Sequence, residues 1–143
     1  MIGGFNLEHL EAAKFYLFGD VKFLHFYLLL AFIDIITGVT VAWVNETLWS
    51  RKALFGYARK VLVLAVIVLS NVIDQILGLN GAVTYATVLF YIANEGLSIV
   101  ENLAKIGVLV PANIAEKLKG IENKGETFPE EITKEFTDKE SNE

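Results

Sequence analysis

Apolar residues in this chain fall into three long blocks, not the period-2 or period-3.6 faces of a soluble domain. The first block runs from about Phe23 to Val44 and contains one charge, Asp34. The second covers about 61–79, with Asp74 near its end, and the third about 82–103, with Glu95 and Glu101 inside it. A helix needs about 20 mostly apolar residues to cross about 30 Å of hydrocarbon, and all three blocks qualify. Only Asn80 and Gly81 separate the second block from the third, which predicts a tight helical hairpin. The expected fold is therefore an all-α membrane protein with three transmembrane helices.

The flanking segments follow other patterns. In residues 1–22, Leu7, Leu10, Phe15 and Phe18 are interleaved with Glu8, Glu11 and Lys14, which predicts a short interfacial helix. No basic region precedes the first block, and the block is longer than a signal-peptide core, so it reads as a span. Gly107 is expected to end the third helix, and Pro111 to open an amphipathic cytoplasmic helix within 105–122, with Ile114, Leu118 and Ile121 on one face. Residues 123–143 are charged and poor in apolar side chains, and are expected to be a tail that is disordered or loosely helical in the cytoplasm.

Basic residues set the expected orientation. Arg51, Lys52, Arg59 and Lys60 lie between the first two blocks, and Lys105, Lys117 and Lys119 follow the third. With three spans, cytoplasmic placement of both groups requires an outside N-terminus and a cytoplasmic C-terminus. Arg51, Lys52, Arg59 and Lys60 are accordingly assigned to a topology-determining loop.

Polar residues at membrane depth must face protein or water. On the first helix Asp34, Thr37, Gly38 and Ala42 share one polar, small-residue face suited to close helix packing, within one copy or between copies. Ser70, Asn71 and Asp74 are expected to mark a polar helix end among headgroups. On the third helix Thr84, Thr87, Tyr91, Asn94, Glu95, Ser98, Glu101 and Asn102 recur at spacings of three and four. They fill an arc of about 120°. Val88, Leu89, Ile92 and Leu97 lie opposite. This stripe is expected either to line water or to pack dry between protomers of a homo-oligomer.

Composition narrows the chemistry. The net charge of −5 over 143 residues is mostly local: from Lys119 onward eight acidic residues face four lysines. No basic face suggests nucleic acid. The absence of cysteine and the presence of only two histidines, His9 and His25, argue against a metal site. No phosphate loop, Ser–His–acid set or HExxH appears, so no catalytic residue and no cofactor is expected.

The stretches FIDIITGVTVAW, SRKALFGYARK, NVIDQ and FYIANEGLSIVENLAKIGVLVPANIAEKL together resemble the phage lysis and toxin-secretion holins. The likeness covers roughly Phe32 to Leu118. It rests on Asp34, Gly38 and Ala42, then Ser50, Gly56, Arg59 and Lys60, then Asp74, then Glu95, Ser98, Glu101 and Asn102, then Gly107 and Pro111. Members of that family often carry a lysine just after the position of Ala42, where this chain has Trp43.

The resemblance implies a non-enzymatic, multi-pass protein of the bacterial cytoplasmic membrane. Such proteins associate with lipids and with copies of themselves, and open lesions that release a peptidoglycan hydrolase or a large toxin. Two alternatives stay open: an antiholin-like regulator that binds a holin, and a small ion channel or transporter subunit.

Overall fold

The structure is a computed structural model that describes residues 6–19 and 21–141, with the side chains of 127–141 left out. Among the described residues there are five helices and no strand: α1 Leu7–Phe18, α2 Leu24–Val44, α3 Arg51–Leu77, α4 Ala82–Lys105 and α5 Ala112–Ser141. Three of them, α2, α3 and α4, are long and apolar enough to cross a membrane. The chain is thus all-helical with three candidate spans.

The helix boundaries have local causes. Asn6 caps α1 by accepting from the His9 amide at 3.1 Å, and Ser50 caps α3 by accepting from Ala53 at 3.1 Å. Between α3 and α4 the turn passes through Gly78 (φ 65°), Asn80 (φ 54°) and Gly81 (φ 82°), a left-handed sequence that favours glycine. Asp74, one turn before the end of α3, reaches across this hairpin. Its carboxylate accepts from the amides of Val83 (3.0 Å) and Thr84 (2.8 Å) and from the Thr84 hydroxyl. A carboxylate from one helix therefore caps the positive end of the next.

The helix that carries the second apolar block begins ten residues before it. Arg51, Lys52, Arg59 and Lys60, expected in a loop, lie on the first three turns of α3. The Ser50 cap starts the helix, and hydropathy detects only its apolar remainder. At 27 residues α3 is ~40 Å long, more than the ~30 Å hydrocarbon thickness. The end of the bundle where α2 finishes, α3 starts and α4 finishes is hereafter the basic end; the other is the hairpin end.

Toward the hairpin end, Leu24, Tyr27, Val63, Ile67, Val88 and Ile92 form the buried apolar core of α2, α3 and α4. Outside, Phe26, Leu29, Phe32, Ile36, Leu62, Leu69 and Ile76 remain exposed. An apolar belt of this extent suits lipid rather than water. Asn71 holds α1 to α3, donating to the Leu17 carbonyl at 3.0 Å. Gly19 lies beside it with φ 62°.

The largest departure from expectation is α5. The helix continues to Ser141, beyond Glu122, where a disordered or loosely helical tail was expected to begin. It turns back along α4: Leu118 meets Gly96, and Gly125 meets Ala86 and Phe90. The order of these contacts makes the two helices antiparallel. Packing against α4 supplies a surface for a helix whose own apolar content is low, which composition alone does not reveal.

Candidate functional site

Three ionisable groups meet inside the bundle, one from each span. The Lys60 ammonium of α3 lies between the carboxylates of Asp34 on α2 and Glu95 on α4, donating to Asp34 Oδ2 and, at 2.7 Å, to Glu95 Oε2. Side-chain exposure is 18% for Lys60, 5% for Asp34 and 8% for Glu95, so the junction is largely withdrawn from solvent. Asn102 Nδ2 donates to Asp34 Oδ1 at 2.9 Å and to Thr37 Oγ1 at 3.1 Å. The Tyr27 hydroxyl donates to the Lys60 carbonyl at 3.3 Å. Among the described residues, no buried side-chain nitrogen or oxygen lacks a hydrogen-bond partner.

The periodicity of α3 explains how Lys60 arrives there. Lys60, Val63, Ile67, Ser70, Asn71 and Asp74 recur at helical spacing and form its inward face. Treating Lys60 as a topology signal missed this role, although its register with Val63 and Ile67 is legible in the sequence. Arg51, Lys52 and Arg59 are exposed. Arg59 lies over the ring of Phe55, 5.3 Å from its centroid.

The polar stripe of α4 faces its own bundle. Thr84 bonds Asp74, and the Thr87 hydroxyl lies 3.0 Å from that of Ser70. The Tyr91 ring meets the ring of Tyr27 edge-on, with centroids 6.4 Å apart. Glu95 and Asn102 join the junction. Asn94, Ser98 and Glu101 line a cavity of about 720 Å³ that opens toward the basic end. Glu101 is exposed there and pairs with Lys105 at 3.1 Å, one helical turn away.

The packing face of α2 also turns inward. Asp34 and Ala42 are buried, and a Cβ on Gly38 would lie 3.5 Å from Asn102 Nδ2, an ordinary contact. The structure thus brings Asp34, Thr37, Gly38 and Ala42 toward α4 of the same copy.

Chemically this arrangement is an ion-pair clasp. The ammonium links three helices, and its buried charge is met by two carboxylates rather than by water. Among the described residues, no group of three or more metal-ligating side chains is placed to hold a metal ion.

The chain matches the bacteriophage holin family over residues 12–123. This chain belongs to the bacteriophage holin family. A probable holin of Bacillus phage phi105 is 58% identical over 118 residues, covering 82% of this chain and 87% of that protein. An uncharacterized protein of Bacillus subtilis, YqxH, is 55% identical over 121 residues, or 85% of this chain and 86% of its own length. An uncharacterized protein of Listeria innocua is 37% identical over 98 residues, 67% of this chain and 69% of its own. No solved structure matches the chain. Membership in this family, with three candidate spans, makes the chain a multi-pass protein of the cytoplasmic membrane.

Proposed function

We propose that this holin assembles with copies of itself in the bacterial cytoplasmic membrane and opens a lesion. The cargo is a peptidoglycan hydrolase, whose exit lyses the host, or a large secreted toxin. In this proposal the basic end, with Arg51, Lys52, Arg59 and Lys105, faces the cytoplasm, as the distribution of lysine and arginine favours.

The observation that carries the proposal is the clasp of Asp34, Lys60 and Glu95. A purely structural three-helix unit has no need of three ionisable groups at membrane depth. Here they are satisfied within one copy, which lets single copies accumulate without leakage. The α4 stripe thereby serves as the seam within each protomer rather than as the wall of the hole.

Inducible expression in a bacterium tests the proposal, following membrane potential and the release of a cytoplasmic hydrolase together. Collapse of potential with hydrolase release is the expected result. Ion flux without macromolecule release would point to a small channel instead. Delayed lysis on co-expression with a second holin, without leakage of its own, would point to a regulator.

A further inference from the structure

If the α4 stripe is sealed inside each copy, another surface must face water in a lesion. α5 provides one. Its inward face packs on α4 through Leu118 and Gly125, with half-buried Ala115 and Ile121 on the same side of the helix. The seam is close at two points. A Cβ on Gly96 would fall 2.6 Å from Leu118 Cδ2, and one on Gly125 would fall 2.8 Å from the Ala86 carbonyl oxygen and the Phe90 amide nitrogen. The outward face carries Glu116, Lys117, Lys119, Lys124 and Glu126, all exposed.

The depth of these charges decides what that face can border. Gly96, against which Leu118 packs, lies near the middle of the 24-residue α4, and Ala86, against which Gly125 packs, lies close to its hairpin end. Lys119 and Lys124, between Leu118 and Gly125, therefore stand at membrane depth on the outside of the bundle. Hydrocarbon does not accept such a face, whereas a water-filled passage does. α5 is also ~45 Å long at 30 residues, enough to follow the full height of the bilayer.

We infer that the α4-docked position of α5 belongs to the open assembly, where its charged face lines the water-filled lumen. Before opening, α5 lies on the membrane surface with Ile114, Leu118 and Ile121 in the headgroup region. This inference rests on the lesion proposed above. The lining it gives has mixed sign: between Glu116 and Glu126 the outward face carries two acidic residues and three lysines. Such a wall is hydrophilic and carries both signs of charge, which suits water and the polar surface of a folded protein.

The chain has no cysteine, so a pair can be placed without background. In Gly96→Cys/Leu118→Cys the smaller residue at 118 makes room for the Cβ at 96, and a disulfide between them fixes α5 on α4. The protein is reconstituted in liposomes loaded with fluorescent dextran, and release is measured oxidised and reduced. The expected result is that oxidised pairs form in releasing assemblies and that the locked protein releases dextran at least as fully as the reduced one. A bulky polyethylene-glycol maleimide on a separate Lys119→Cys variant is expected to cut dextran release at least severalfold.

Loss of release on oxidation would make docking a closed-state feature and overturn the inference. So would a pair that fails to oxidise in releasing assemblies, or a modified Lys119→Cys that releases dextran normally. Absence of dextran release from the wild-type protein would overturn the lesion itself, and this inference with it.

Discussion

Lys60 holds a charge balance that its two partners do not share equally. Removing the ammonium leaves Asp34 and Glu95 facing each other at low exposure, and breaking a buried pair in this way costs ~3–5 kcal/mol. Glu95→Gln is milder, because an amide oxygen still accepts from Lys60 while Asp34 remains as its counter-charge; a loss of about 1 kcal/mol is expected. Lys60→Met should therefore lower the thermal midpoint of the detergent-solubilised protein far more than Glu95→Gln does. Equal midpoints for the two variants would mean that the clasp does not hold the bundle. Asp74 permits an independent measurement. Asp74→Ala removes the acceptor for the Val83 and Thr84 amides and should cost ~1–2 kcal/mol at the start of α4. Hydrogen exchange at those two amides should speed up while exchange near Glu95 stays unchanged.

At the scale of helices, the seam between α4 and α5 allows a direct test of docking. Gly125 has backbone, not flexible side chain, within 2.8 Å of where a Cβ would stand. Gly125→Leu should lift α5 away, raise protease cleavage between 112 and 126, and leave membrane insertion intact. Unchanged cleavage would mean that this glycine is not at the seam. Gly38 behaves differently: its neighbour at 3.5 Å is the Asn102 side chain, and it borders the cavity. The three spans were legible in the sequence because their apolar runs are long, and the hairpin because Asn80 and Gly81 leave no room for more. The first turns of α3 were not, since a charged amphipathic start resembles a loop to a hydropathy window. The stripe on α4 was visible, but its destination was not: periodicity identifies a polar face without identifying what covers it. Nor does a polar α5 sequence announce a partner helix, because the decisive positions are glycines whose contribution is the absence of a side chain.

For the molecule as a whole, the asymmetry of charge between its ends predicts its orientation. The basic end carries Arg51, Lys52, Arg59 and Lys105, whereas the turn Gly78–Gly81 has no charge at all. A reporter active only in the cytoplasm should work when inserted in the connection at 45–50 and should be silent in the turn at 78–81. Activity in the turn would reverse the orientation, and activity at both sites would remove a span.

The clasp also has an order in time. Asp34 precedes Lys60 by 26 residues and Glu95 follows it by 35. Chains emerge from the ribosome N-terminus first, at about 5–20 residues per second, so Asp34 is already made when Lys60 appears, and Glu95 comes seconds later. During synthesis the lysine thus has a counter-charge at hand from the helix before it, and Asp34 and Lys60 can enter the bilayer as a charge-balanced pair. The second carboxylate arrives only with α4, so the surplus negative charge of the clasp is the last of its charges to be added.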